Sequence, residues 1–256
     1  MQILLADAKT MRAEKAPLEP VSLPVFGKTA RSLAKDLGKL SVEELQALFG
    51  GSLRVNRETW ERYRHFTDTE PAPAIFAFSG QAYRHLRAET LRTENLLYAQ
   101  AHLFITSFLY GLLRPLDGIV PYRMEQNVRS KSSGDIPMNR FWRGLLTDFL
   151  IRETTEKDDG VLVQLSTKEF EQLFDWERVK KSCRVITPYF YVRDTDRSKL
   201  STQAVWAKSC RGAMVRHILE HQLKDSEALK TFTYEGFAFS DVGSNDEKLI
   251  FIREDD

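Results

Sequence analysis

Between Leu109 and Glu125 the chain sets Arg114, Asp117, Arg123 and Glu125 among two glycines and two prolines, with apolar runs on both flanks. A guanidinium taken out of water needs a carboxylate or a phosphate. Arg114 with Asp117 and Arg123 with Glu125 are therefore either local ion pairs or receptors for an anion. Lys9, Lys208, Arg211 and Arg216 come from other segments, with Tyr83, Tyr110, Tyr122 and Trp142 available for stacking and Glu169 as a further acid. Two chemistries fit this set. Lysines and arginines neutralise nucleic-acid phosphates while aromatic rings stack on unpaired bases. Alternatively, an enzyme pocket holds a small anionic ligand, and Asp117, Glu125 and Glu169 work as acid/base groups.

Other reactive residues point less clearly to a site. His217-Ile-Leu-Glu-His221 has the spacing of an inverted zinc-peptidase box, but only a short acidic tail follows to supply a third ligand, so the expectation is a solvated helix face. Cys210 lies between Lys208 and Arg211, where positive charge favours a thiolate; the simpler reading is a small packed residue. Walker A, G-x-G-x-x-G and G-x-S-x-G motifs are missing, so neither nucleotide hydrolysis nor the common nucleophilic mechanisms are expected, nor any metal or cofactor.

Lys+Arg 37 against Asp+Glu 36 leaves a formal net charge of +1 over 256 residues, so global charge names no partner. The distribution is uneven. Ten Lys/Arg face two acids between Arg178 and Arg216, whereas two face eight between Glu153 and Glu177, and four face ten after Arg216. Separated blocks of this kind predict one positive face and a negative remainder. Two cysteines without C-x-x-C spacing, and an opening that runs from Met1-Gln2 straight into Ile3-Leu-Leu5, lead to the expectation of a cytoplasmic protein outside the membrane.

The elements that would position these groups follow from periodicity. Ile3 to Ala6 reads as a buried strand presenting Asp7, Lys9 and Thr10 at its C-terminal end, where open sheets bind ligands. Arg12 to Pro24 reads as an ordered surface loop. Ala30, Leu33, Ala34 and Leu37 mark a helix ending at Gly38, and Ser41-Val-Glu-Glu44 is a capping box opening the next. The connection through Gly38, Lys39 and Ser41 is similar to a helix-hairpin-helix, whose backbone amides hold a DNA phosphate, although the usual second glycine is missing. Strands are expected at Ala74–Phe78 and Gly160–Leu165, half-buried antiparallel strands at Arg184–Val192 and Thr202–Trp206, and a closing hairpin at Phe237–Phe239 and Leu249–Ile252. The irregular alternation predicts a single compact α/β (mixed α+β) domain over residues 1–256, with a mixed sheet and no doubly wound order.

The central stretch closely resembles the LYGLLRPLD…PYRLEM signature of the YaaA family of bacterial peroxide-stress proteins. Ile3–Thr10, Ala74–Tyr83, Phe141-Trp142, Leu165–Glu169, Lys208–Arg216 and Glu235–Phe239 match in the same order, so the resemblance covers essentially the whole chain. The family usually has Ser-Pro where this chain has Ala6-Asp7. Membership implies one α/β unit of uncommon topology with a basic cleft and a helix-hairpin-helix. It also implies double-stranded or structured DNA as partner, and a role in limiting reactive iron and protecting DNA from peroxide.

Overall fold

The computed structural model describes residues 1–12, 17–194 and 199–254. Ten strands lie among them: β1 (Gln2–Ala6), β2 (Ala72–Pro73), β3 (Leu103–Ser107), β4 (Gly111–Leu113), β5 (Gly118–Ile119), β6 (Val161–Leu165), β7 (Arg184–Asp194), β8 (Lys199–Ser201), β9 (Ala238–Ser240) and β10 (Lys248–Glu254). Eight form one sheet in the order β4-β3-β1-β6-β7-β10-β9, with β8 beside β7, while β2 and β5 make a separate two-stranded ladder. β3, β1, β6, β7 and β10 are mutually parallel, and β4, β8 and β9 join antiparallel at the margins. The sheet is therefore mixed, as expected. Its parallel strands nevertheless follow the order 2-1-3-4-5, which corrects the expectation of no doubly wound order and puts the reversal between β1 and β6.

Among the described residues eleven α-helices accompany the sheet: α1 (Gly27–Leu37), α2 (Val42–Phe49), α3 (Leu53–Arg64), α4 (Ala74–Ala77), α5 (Gln81–Leu86), α6 (Thr93–His102), α7 (Met138–Phe141), α8 (Arg143–Thr155), α9 (Lys168–Glu171), α10 (Trp176–Ser182) and α11 (Ala204–His221). Side chains alternate across a strand. Phe104 turns towards α8 and meets Phe149 edge-on, while Phe190, on the opposite face by register, packs on Phe232 and Phe237 beside α11. Helices thus cover both faces, as a parallel sheet requires.

Three local expectations are corrected. Ala74–Ala77 is a helical turn, because the amides of Ala74 and Ile75 are claimed by the Asp117 and Pro115 carbonyls and Phe78 reaches only an isolated bridge to Met11. Arg184–Val192 alternates because Tyr189 and Tyr191 face outward, yet its main partners, β6 and β10, are parallel. The strand expected at Thr202–Trp206 is instead a two-residue connection after β8 followed by the start of α11 at Ala204. Of the loop expected at Arg12–Pro24, residues 13–16 lie outside the described residues; Arg12 and Val21 are pinned through their amides to the Ala77 and Leu116 carbonyls.

α11 reaches α5 at Gly212, where an added Cβ would stand 1.8 Å from the Ala82 carbonyl oxygen. This close approach fixes the neighbouring Arg211 relative to the end of β1. Gly212→Ala should cost at least the ~1–3 kcal/mol typical of overpacking. Gly144→Ala, in α8 with open space around it, should instead raise stability by up to ~1 kcal/mol through helix propensity. Urea denaturation of the two variants checks both signs.

Candidate functional site

Beyond the C-terminal ends of β1 and β6, at the reversal of strand order, the chain encloses a cleft of about 520 Å³. Asp7, Lys9, Tyr83, Lys168, Glu169, Lys208 and Arg211 are among its lining residues. Asp7 Oδ2 accepts a hydrogen bond from the Tyr122 hydroxyl at 2.7 Å, and that hydroxyl lies 2.7 Å from Ser107 Oγ. Ser107 Oγ already accepts from the Leu109 and Tyr110 amides, so its own proton points to Tyr122 and the chain of donors ends on Asp7. Burial pushes the Asp7 carboxyl up to about 7; Glu169 and Glu125 add to the rise, against the Tyr122 hydrogen bond and Lys9. Lys9 Nζ sits 2.9 Å from Glu125 and 3.8 Å from Glu169, and its pKa is raised, chiefly by the Glu125 hydrogen bond. Arg211, half-buried with its pKa lowered by desolvation, has no carboxylate at ion-pair distance among the described residues.

A second concavity, about 710 Å³, runs between α1 and α3. Lys28, Arg31, Lys35, Lys39 and Arg64 line it, and no carboxylate does. Lys28, Arg31 and Lys35 recur at helical spacing on the face of α1 opposite its buried Ala30, Leu33, Ala34 and Leu37, and Lys39 follows just past its C-cap Gly38. The hairpin joining α1 to α2 keeps its own amides occupied. Gly38, Lys39 and Leu40 donate to the carbonyls of Ala34, Asp36 and Leu37, and the Ser41 amide donates to Glu44 in the expected capping box. Gly38 has an ordinary helical φ of −66°, and its missing side chain instead admits the Tyr63 carbonyl, 2.9 Å from where a Cβ would lie. A phosphate at this hairpin would have to meet side chains such as Lys39 in place of those amides.

A family model described as peroxide stress protein YaaA matches residues 1–242. The chain belongs to the YaaA family of peroxide stress proteins. It is 41% identical over 254 residues to a UPF0246 protein of Bacteroides fragilis, covering 98% of each chain. A UPF0246 protein of Porphyromonas gingivalis is 36% identical over 259 residues, covering 99% of this chain and all of the relative. One of Rickettsia rickettsii is 32% identical over 254 residues, with the same coverage.

In this YaaA-family chain the expected anion-binding residues divide into a cleft set and a scaffold set. Lys9, Lys208 and Arg211 meet at the cleft, with Glu125, Tyr122 and Glu169 adjoining them. Arg114 lies elsewhere: its guanidinium donates to Gln2, the Ala101 carbonyl and Glu153, and rests 3.5 Å from the Phe104 ring centroid. Asp117 is not its ion-pair partner. Asp117 caps the turn by accepting from the Arg114 amide and from Ser22, and burial raises its pKa. Arg123 does pair with Glu125, at 3.4 Å, and also donates to the Phe49 carbonyl. Arg216 braces α5 through the Leu86 and Arg87 carbonyls. Tyr83, Tyr110, Tyr122 and Trp142 are all buried, with Trp142 donating to the Phe108 carbonyl, so none presents a face to a base.

Of the basic run from Arg178 to Arg216, Arg178, Lys181, Arg193 and Arg216 are paired with Asp148, Glu177, Glu254 and Glu220, while Lys208 and Arg211 meet at the cleft. Cys210 is fully buried, and desolvation holds its thiol up at about 12 in spite of Arg211, which makes it a packing residue. Of the His217–His221 box, Glu220 is taken by Arg216, and His221 Nδ1 meets the His217 carbonyl. Lys168 and the α1 stripe are site residues that motif reading passed over, and Asp7 was placed at the strand end without a role.

Because the folded pKa of Asp7 is raised above its ordinary value, its contribution to stability is present in full at low pH and is lost as pH climbs towards about 7. Asp7→Asn removes that titration. The stability of Asp7→Asn minus that of the parent should rise between about pH 4 and 7, with a slope of at most ~1.4 kcal/mol per pH unit. Thermal melts across that range check the sign.

Proposed function

We propose that this YaaA-family protein binds double-stranded DNA through the α1–α3 groove and thereby protects it during peroxide stress. The observation that supports this reading is the acid-free row Lys28, Arg31, Lys35 and Lys39 with Arg64 opposite. Among the described residues only Lys39 of these five is ion-paired, at 3.9 Å to Asp36, itself held by the Ser132 amide. Lys28 to Lys35 alone spans about 10 Å along the helix axis at 1.5 Å per residue, enough to meet several backbone charges of a duplex. Side chains of this kind, without exposed stacking rings, favour a paired backbone over splayed single strands, which need aromatic platforms. Limitation of reactive iron, the other half of the reading, is then a consequence of the DNA-bound state, with no separate site assigned to it.

The triple variant Lys28→Glu, Arg31→Glu, Lys35→Glu should fold normally by circular dichroism, since all three face solvent away from the core. Its DNA affinity should fall by about 100-fold or more at moderate salt, and the slope of log K against log salt should drop by about two to three. A parent protein with flat salt dependence, or a triple variant with parental affinity and slope, would exclude the groove.

A further inference from the structure

We propose that the cleft beyond β1 and β6 is a second site, separate from the α1–α3 groove, that binds a small phosphate-bearing metabolite between Arg211, Lys208 and Asp7. The two concavities share no lining residue. The cleft's volume of about 520 Å³ is that of a small-molecule pocket, and its position at the strand-order reversal is where open parallel sheets seat ligands. A DNA duplex, whose major groove alone is about 12 Å wide, does not fit within a cleft of this volume.

The charges specify the ligand. Four cations line the cleft, but Lys9 is already neutralised by Glu125 and Glu169. Lys168, Lys208 and Arg211 remain, and among the described residues none of them has a carboxylate at ion-pair distance. Arg211 carries the argument furthest, because a half-buried guanidinium without a carboxylate bears a desolvation cost that a doubly charged phosphate would offset. Its place is built in, since the contact of Gly212 with Ala82 locks this turn of α11 against α5, and Ala82 itself lines the cleft. At the far wall Asp7 ends the Ser107–Tyr122 hydrogen-bond chain. Neutral below about pH 7, it offers the non-phosphate end of a ligand a hydrogen-bonding carboxyl and adds little repulsion to a bound anion.

The test uses the full-length triple α1 variant as background, so that phosphate adhering to the groove does not contribute. Inorganic phosphate, adenosine monophosphate and a 5′-phosphorylated DNA duplex are each titrated while the melting temperature is recorded. Phosphate and the mononucleotide should raise it saturably, and Arg211→Gln should weaken half-saturation by about thirtyfold or more. Lys208→Gln, at an exposed position, should weaken it less and serves as the second variant if Arg211→Gln fails to fold. The proposal is overturned if neither small probe stabilises the background protein, or if both do so equally after loss of Arg211 and of Lys208. Protection by the phosphorylated duplex alone, dependent on Arg211, would instead make the cleft a reader of nucleic-acid ends. Because DNA affinity is measured on the parent and phosphate binding on the triple variant, either reading can fail without the other.

Discussion

The candidate cleft depends on β1 being hydrogen-bonded along both edges and covered on both faces. All five of its residues are buried, and β3 and β6 pair with it in register. A strand so enclosed can release its polar continuation only past its end, and Asp7, Lys9 and Thr10 begin there. The N-terminal ammonium, tied to Asp158 and Asp159, anchors the other end. Sliding β1 by one residue would invert its faces and carry Asp7 away from Tyr122. The geometry of the cleft is thus a consequence of sheet register.

Cations in this molecule divide by what they are required to do in the fold. Arg114, Arg123 and Arg216 each donate to backbone carbonyls and meet a carboxylate, so they hold segments together and have little left for a ligand. Arg211, Lys28, Arg31 and Lys35 carry no such obligations among the described residues. An even overall balance of 37 against 36 conceals this division. Net charge is a poor guide to partners wherever most charges are spent inside the fold on one another.

Much of the architecture was legible in the sequence. β1, β6, α1, α2 and the closing β9–β10 pair follow from apolar runs, helical periodicity and one capping box. The parallel order was not, since strand order depends on which crossovers lie between short apolar runs that look alike. The central Leu109–Glu125 stretch was correctly marked as dense in charge, but Arg114 and Arg123 could not be told apart there. Their partners Glu153 and Phe49 lie 39 and 74 positions away. Asp7 was legible at the strand end but without a role, because a lone acid there is ordinary until Tyr122 and Ser107 are brought beside it. The α1 stripe did have a signal: the periodicity that marks Ala30, Leu33, Ala34 and Leu37 as buried places Lys28, Arg31 and Lys35 together on the opposite face.

Separating a solvent-facing cationic groove from an enclosed cleft also has an electrostatic logic. In the groove, cations stay hydrated and attraction to a duplex is long-ranged but screened, with salt setting its strength. In the cleft, Arg211 and Asp7 sit where water is partly excluded, so their interactions are short-ranged and less sensitive to salt. A single surface could not do both. Lowering the dielectric around a row of like-charged lysines would raise their mutual repulsion, and hydrating Arg211 would remove the gain from a bound dianion. The fold resolves this conflict by placing the row on the outer face of α1, near the start of the chain, and the cleft at the reversal of the sheet, with Arg123 joining the end of α2 to the turn that carries Glu125.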